Sequence, residues 1–186
     1  WGWGSTEFGT ASKKWNKIIP DLFCIITPHE PHDSFCKSIE IQCREKGIES
    51  IRFSQITSKN SVNNQRVVII DTIGLLAQIY SISTLAYIGG SFGTGVHNVM
   101  EPAIMGIPVL FGPRHYNSFE ALQMKEQGGA FAVTSTNEYD QTLRRLLNSD
   151  KDIQKAGMCV KKYVLENVGA AQKIFNQLES DLERNI

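Results

Sequence analysis

The chain has 186 residues, of which 41% are hydrophobic and 20% charged, and this composition excludes a disordered chain, a collagen-like repeat and a coiled coil. Nineteen Lys and Arg residues balance nineteen Asp and Glu residues, so the formal net charge is zero and no overall field attracts nucleic acid. We therefore expect no nucleic-acid partner, and any recognition of an anion must be local.

Short apolar runs alternate with longer amphipathic segments from Leu22 onward, which is the pattern of a parallel sheet covered by helices on both faces. The predicted strands are Leu22–Thr27, Ile51–Phe53, Val67–Ile70, Leu85–Ile88, Pro108–Phe111 and Ala130–Thr134. The predicted helices are Ser34–Lys46, Leu75–Ser81, Val99–Met105, Ser118–Gln127 and Glu138–Leu147. The fold class is therefore α/β, a doubly wound, Rossmann-like parallel sheet.

The rest of the chain contributes a loop and a helical tail. Residues 57–65 are polar and predict a flexible loop, whereas the composition of residues 150–186 favours helix, with a break near 167–169. Two helices that pack against one another or back across the domain would account for the tail. No linker divides the chain, so residues 1–186 are predicted to form a single domain.

Two further features concern the cellular setting. The four cysteines include no C-x-x-C pair, which favours a reduced, cytoplasmic protein, and the longest apolar stretches are far shorter than a membrane span. The chain opens with Trp1-Gly2-Trp3 and has neither an initiator Met nor a signal peptide. This start suggests that the chain was cut from a longer protein.

The most informative segment is LAYIGGSFGTGVHNVME, residues 85–101, where an apolar strand runs into four glycines within seven residues and then into a helix. Glycine lets the backbone turn sharply and approach a ligand, and a helix start presents free N–H groups. The segment therefore predicts a cradle for a phosphate or a carboxylate, and a tight turn without a ligand is the alternative. Its spacing differs from the G-x-G-x-x-G dinucleotide fingerprint.

Three polar residues follow this loop. Asn98 can cap the helix, and His97 can donate a hydrogen bond to an anion, although a packed side chain is nearly as common for such a histidine. Glu101 can accept hydrogen bonds from the two hydroxyls of a ribose, or simply interact with the helix dipole. The residues alone leave both readings of Glu101 open.

Other polar residues follow the predicted strands. Asp71-Thr72, Thr27-Pro28-His29-Glu30 and Gly112-Pro113-Arg114-His115 all lie at the carboxyl edge of the sheet, where open α/β sheets bind ligands. His29 and His32 have no partners that would complete a metal site, so we expect no metal. The G-x-S-x-G, P-loop and H-E-x-x-H motifs are absent from the sequence, so hydrolases, P-loop NTPases and zinc proteases have no motif to support them.

Several motifs together resemble the carboxyl-terminal half of 3-deoxy-D-manno-octulosonic acid (Kdo) transferases. That family pattern reads D-T-x-G-E-L, then Y, G-G-S, H-N and E-P-A. The matching residues here are Asp71-Thr72-Ile73-Gly74-Leu75-Leu76, Tyr80, Gly89-Gly90-Ser91, His97-Asn98 and Glu101-Pro102-Ala103, with Gly4-Ser5-Thr6, Gly112-Pro113, Asn117, Asn167 and Gly169-Ala170 as further matches. The resemblance extends over nearly the whole chain.

The resemblance implies the second, donor-binding domain of an inverting GT-B glycosyltransferase that moves Kdo from CMP-Kdo to a lipid A precursor in lipopolysaccharide biosynthesis, without a cofactor. The catalytic base, the acceptor surface and the membrane-associated segment would belong to an amino-terminal domain that this chain lacks. The whole protein would work at the cytoplasmic face of the bacterial inner membrane. The chain alone would be soluble and would bind the donor without turning it over.

Carried over by position, the donor would be bound by these residues: Ser5, Thr6, His29, Asp71, Thr72, Gly74, Gly89, Gly90, Ser91, His97, Asn98, Glu101, Arg114 and Asn117. Three positions depart from the family pattern. His29 stands where P-R-H has its arginine, Leu75 replaces the acidic residue of G-E-L, and Arg114 stands where a histidine is common and supplies a positive charge. Two alternatives stay open, the donor domain of another GT-B enzyme that uses a UDP-sugar and a non-catalytic nucleotide-binding paralogue.

Overall fold

The computed structural model describes residues 22–57, Val62 and residues 65–169. The strands are β1 (Cys24–Ile26), β2 (Ser50–Arg52), β3 (Val67–Ile69), β4 (Ala86–Ile88), β5 (Val109–Phe111) and β6 (Ala130–Ala132). The helices are α1 (Asp33–Glu45), α2 (Leu76–Ser81), α3 (Met100–Ile104), α4 (Phe119–Glu126), α5 (Thr136–Leu147) and α6 (Asp150–Asn167), with a 3-10 turn at Phe53–Gln55. All strand pairs are parallel, in the orders β1-β3-β2 and β4-β5-β6.

Both faces of the β4-β5-β6 sheet are covered by helices. Val109 and Phe111 of β5 point into a cluster with residues of α3, α4 and α6, while Leu110 points into a cluster with α5. All three β5 residues are completely buried, which explains why this strand reads as a continuous apolar run. The sheet β1-β3-β2 repeats the arrangement, with α1 on one face of β3 and α2 on the other. The doubly wound α/β prediction is confirmed.

The element boundaries differ from the predictions where capping decides them. Helix α5 begins at Thr136, two residues before the predicted start, because the Ser135 side chain accepts a hydrogen bond from the Glu138 N–H and Glu138 in turn accepts from Thr134. Helix α3 is shorter than predicted and ends before Gly106, whose φ of 77° requires the left-handed conformation. Phe53 starts the 3-10 turn instead of extending β2.

Helix α6 ends as the sequence predicts. It runs from Asp150 to Asn167, then Val168 is extended and Gly169 has a φ of 82°. The second predicted tail helix lies outside the described residues, as does most of the predicted loop at 57–65. None of the described helices is both long and apolar enough to cross a bilayer. The four cysteines, all among the described residues, form no disulfide.

Candidate functional site

The glycine-rich segment after β4 forms a tight loop stabilised by its own backbone. The Gly93 and Gly95 N–H groups both donate to the Gly90 carbonyl, at 2.8 and 3.1 Å, and the His97 N–H donates to the Gly89 carbonyl at 3.1 Å. Gly90 has a φ of 90°, and a Cβ atom there would lie 2.5 Å from Cδ2 of His97. Only glycine fits at this position.

The loop after β5 fixes the glycine loop from the side. The Arg114 backbone donates to the Ser91 carbonyl at 2.9 Å, and its guanidinium donates to the Gly93 carbonyl at 2.7 Å. The Asn117 amide accepts from the Val96 N–H and donates to the Val96 carbonyl, both at 3.1 Å. Arg114 therefore holds a positive charge against the glycine loop, and Asn117 shapes the loop through its backbone.

The N–H groups of the loop are less available to an anion than the sequence predicts. Those of Gly93, Gly95 and His97 donate within the loop, whereas those of Asn98 and Val99 meet no acceptor among the described residues. The N–H groups of Gly90, Ser91 and Thr94 also meet no acceptor among the described residues. An anion would therefore be met by N–H groups of the loop and of the residues just before α3, together with the nearby side chains.

His29 and His97 come together at this loop. Their ring centroids lie 5.3 Å apart although the residues follow different strands, β1 and β4, and both side chains are exposed. The predicted convergence of strand ends is thus observed for these two histidines. Each imidazole can donate a hydrogen bond to a bound anion.

Asn98 and Glu101 form a pair at the start of α3. The Asn98 side-chain oxygen Oδ1 accepts from the Met100 N–H at 2.9 Å, so Asn98 caps the helix in effect although Val99 holds the N-cap position. Its amide nitrogen donates to Glu101 Oε1 at 2.9 Å. Burial, and then the negative charge of Glu101, raise the pKa of Tyr80 on α2, so α2 also contributes to this corner. Glu101 is exposed and available to a ligand hydroxyl.

Asp71 is engaged within the protein. Its carboxylate accepts a hydrogen bond from the Ser54 N–H at 3.0 Å and a second from the Ser54 hydroxyl. Partial burial alone would raise the pKa of Asp71, but these bonds, its own N–H and the charge of Arg52 outweigh burial and lower the pKa. Among the described residues these bonds tie Asp71 to the 3-10 turn after β2 and not to the glycine loop, so its contribution to donor binding stays a prediction.

Replacing Asp71 with asparagine is expected to lower the free energy of unfolding at pH 7 by about 1 kcal/mol, because the charged acceptor for Ser54 is lost. The folded-state pKa is depressed, so the stabilisation is complete above the unfolded-state value near 3.8 and is lost as the pH falls below it. Urea unfolding at pH 7 and pH 3 measures this difference. A Ser54→Ala variant and the double variant complete the cycle, and full additivity of the two changes would contradict the pairing.

The remaining predicted residues lie at the edge of the site or outside the described chain. Thr72 and Gly74 are exposed after β3, and Gly74 has a φ of 86°. Leu75 packs into an apolar cluster under α2, so the position of the expected acidic residue serves packing in this chain. Ser5 and Thr6 lie outside the described residues.

Ser91 and His115 are placed differently from what the sequence indicates. Ser91 is completely buried, and its hydroxyl has no hydrogen-bond partner within the described chain, so we expect it to shape the loop rather than to contact the donor directly. His115, absent from the predicted set, is only 2% exposed and stacks on Phe111 with a centroid distance of 4.9 Å. Its only sequence signal is its place at a strand end.

Metal chemistry finds no support in the part of the chain that the structure describes. No group of three or more His, Cys, Asp or Glu side chains there could hold an ion. The site instead combines a fixed loop, one guanidinium, two imidazoles and a carboxylate. Such a set suits an anionic ligand that also carries hydroxyl groups.

Comparison with known proteins supports the motif resemblance. The chain is 32% identical over 170 residues to the 3-deoxy-D-manno-octulosonic acid transferase of Haemophilus influenzae, and 30% identical over 146 residues to that of Aquifex aeolicus. These alignments cover 90% and 77% of this chain. The chain spans about 39% of the length of each of these curated relatives. No family model matches the chain.

Solved structures identify the fold. The C-terminal CMP-Kdo binding domain of WaaA from Acinetobacter baumannii superposes with a TM-score of 0.74 at 20% identity, covering 87% of this chain and 84% of that one. The C-terminal domain of a group 1 family glycosyl transferase (LpcC) from Francisella tularensis gives 0.58 at 16% identity, covering 88% and 78%. The predicted fold, a C-terminal domain of a GT-B glycosyltransferase, is confirmed, and so is the resemblance to Kdo transferases.

Proposed function

We propose that this chain is the donor-binding domain of a Kdo transferase that moves Kdo from CMP-Kdo to a lipid A precursor. The observation that carries the proposal is the sequence relationship to Kdo transferases over 90% of the chain. In the structure, the motif residues Gly89-Gly90, His97, Asn98 and Glu101 lie together after β4. The WaaA domain of the same fold is described as binding CMP-Kdo.

The phosphate of CMP would lie at the glycine loop. The N–H groups of Asn98 and Val99 would donate to it, Arg114 would supply positive charge, and the imidazoles of His29 and His97 would donate hydrogen bonds. Charge on the phosphate grows when its bond to the sugar breaks, and fixed donors stabilise that charge without reorganising. His29 would thus take the place of the arginine in the family pattern.

The nucleoside would extend from the phosphate toward α3. Glu101 would accept hydrogen bonds from the two ribose hydroxyls, and Asn98 holds the carboxylate in place with one hydrogen bond of 2.9 Å. A carboxylate that is already oriented loses little entropy when the ligand binds. The Tyr80 phenol, whose pKa is raised by burial and then by the charge of Glu101, can donate a hydrogen bond in this corner of the site.

The rest of the reaction would be supplied by the other domain of a GT-B enzyme. An inverting transfer needs a base on the acceptor side, which would come from the amino-terminal domain together with the acceptor surface and the association with the bacterial inner membrane. This chain alone would therefore bind the donor without turnover and without a cofactor or metal.

Titration of this chain with CMP, UMP, UDP and NAD tests the proposal. We expect CMP to bind most tightly by calorimetry and to raise the melting temperature increasingly as its concentration exceeds the dissociation constant. The Glu101→Gln variant is expected to bind CMP about 10-fold more weakly, about 1.4 kcal/mol, because a charged acceptor for the ribose is lost. Glu166→Gln on α6 is the matched control, since Glu166 is exposed and pairs with Lys162 at 3.6 Å.

Each outcome has a definite meaning. Preference for CMP, with a loss of CMP affinity in Glu101→Gln but not in Glu166→Gln, supports the donor site. Preference for UDP assigns the chain to a GT-B enzyme that uses a UDP-sugar, and absence of binding to every nucleotide contradicts a working donor site. Equal affinity of both glutamine variants for CMP rejects the role of Glu101.

A further inference from the structure

Tyr116 is unusual among the five tyrosines of the chain. Its side chain is 77% exposed, whereas Tyr139 and Tyr163 are buried and Tyr80 and Tyr87 are half-buried. Exposing a large aromatic ring forgoes the stabilisation that burial would give. Tyr116 follows Arg114, which bonds to the glycine loop, by two residues, so its exposed ring is available to a ligand bound at that loop.

The ring of Tyr116 is held by a stack that begins in the core. Phe111 at the end of β5 is completely buried, and His115 packs against it with the centroids 4.9 Å apart and the ring planes tilted by 37°. Tyr116 stacks on His115 at 4.8 Å with the ring planes 22° apart. One face of the phenol is thus supported by the protein. A ring that is already held in place loses little conformational entropy when a ligand covers it.

His115 is itself locked by two hydrogen bonds. Its Nδ1 lies 3.2 Å from the Gly112 carbonyl oxygen, which can only accept, so Nδ1 carries the proton. Its Nε2 lies 3.3 Å from Nζ of Lys125, which donates to it. The imidazole is therefore fixed in orientation and in tautomer, and it gives Tyr116 a rigid base.

The position of Tyr116 relative to the glycine loop decides which part of a donor it meets. Tyr116 lies between Arg114 and Asn117, the two residues that bind the glycine loop from the β5 side. His29 reaches His97 from the end of β1, and β5 pairs with β4. The segment after β5 contacts the glycine loop at Gly93 and Val96, whereas His29 contacts His97.

A nucleotide sugar with its phosphate at the glycine loop would place its nucleoside and its sugar on opposite sides of that loop. Under the proposed function the nucleoside would lie toward α3, where Asn98 orients Glu101, so the group on the other side of the phosphate would lie toward the segment after β5. That group is the transferred sugar. Its ring carries C–H groups on one face and hydroxyls on its rim, and the apolar body and polar tip of a tyrosine match this pattern.

From this geometry we propose that Tyr116 is the stacking platform for the transferred sugar, with Arg114 beside it for the sugar's negative charge. The inference rests on the proposed function, because it assumes that the phosphate of the donor lies at the glycine loop. Tyr116, five residues after the end of β5, would thus help to determine the specificity for the sugar. The motifs shared with Kdo transferases do not include this position.

The test compares a nucleotide with its sugar conjugate. CMP and freshly prepared CMP-Kdo are titrated calorimetrically into the unaltered chain and into Tyr116→Ala and Tyr116→Phe. We expect Tyr116→Ala to bind CMP-Kdo about 10-fold more weakly, while its affinity for CMP stays within about 2-fold of the unaltered chain. Tyr116→Phe is expected to keep both affinities, because the sugar would stack on the face of the ring and not on the hydroxyl. Phe119→Ala is the control, since Phe119 is another aromatic ring, 67% exposed, three residues further on.

The outcomes distinguish this inference from the proposed function. If CMP binds the unaltered chain and Tyr116→Ala weakens CMP and CMP-Kdo equally, the ring supports the loop or the nucleoside and the inference is overturned. The inference is also overturned if Tyr116→Ala changes neither affinity, or if Phe119→Ala causes the same loss. Failure of the unaltered chain to bind CMP overturns the proposed function, and this inference with it.

Discussion

Replacing Gly90 with alanine is expected to lower the free energy of unfolding by about 3 to 5 kcal/mol and to abolish CMP binding. Two costs combine at this position. The φ of 90° is unfavourable for any residue with a Cβ, and the added methyl would overlap the Gly95 carbonyl oxygen and lie 2.5 Å from Cδ2 of His97. Relief of the overlap would displace both the loop and the imidazole, which are the two features that we propose for the phosphate.

Gly128→Ala is the matched control for Gly90→Ala. Gly128 follows α4 with a φ of 79°, but a Cβ atom there meets nothing within 4 Å. The control therefore measures the backbone cost alone, about 1 kcal/mol, with CMP binding unchanged. Urea denaturation and calorimetry at a temperature where both variants are folded give the comparison. Equal losses of stability in the two variants would show that the close contact at Gly90 has no energetic weight.

Replacing Gly157 with alanine is expected to destabilise the domain by about 2 to 4 kcal/mol, although alanine is the better helix former by about 1 kcal/mol. Gly157 is buried in the middle of α6, where the added methyl would overlap the backbone carbonyl of Gly106 and lie 3.7 Å from Cδ of Pro108. Backbone atoms cannot move aside as a flexible side chain can. Helix α6 would have to shift away from the loop that leads into β5.

Gly106→Ala is the control on the other side of the same contact. Its φ of 77° is unfavourable for alanine, but the nearest atom to an added Cβ is Cδ of Lys161 at an ordinary 3.6 Å. We expect a loss of about 1 kcal/mol from the backbone alone. Urea midpoints for the two variants compare them directly. A gain of stability in Gly157→Ala would mean that helix propensity outweighs the close approach.

Periodicity alone identified the elements of the fold, because burial repeats along the chain with the period of the backbone. The three residues of β5 are apolar since helices cover both faces of the strand, and α6 ends where Gly169 permits a left-handed residue. Boundaries were less well predicted. The start of α5 was missed by two residues because reciprocal bonds among Thr134, Ser135 and Glu138 extend the helix beyond its apolar face.

The site was predictable in part. The glycine loop and the capping by Asn98 are local, and the sequence pattern is enough to predict both. The pairing of Asn98 with Glu101 was not predicted and is seen only in the structure. The roles of Asp71 and Leu75 are different, because a hydrogen bond to Ser54 and an apolar cluster under α2 form only when other segments arrive. A motif letter identifies a position in the chain but does not tell which neighbour that position meets.

The sequence by itself determined the α/β class, the strand and helix order, the glycine loop and the relationship to Kdo transferases. These properties depend on local backbone preference and on the pattern of apolar residues, both of which are written in consecutive positions. The tertiary structure alone decided that His29 lies beside His97, that Asn117 shapes the loop through Val96, and that Tyr116 stacks outward from Phe111 through His115. Such contacts join side chains from different segments, and their geometry is fixed only when the strands pair and the helices pack.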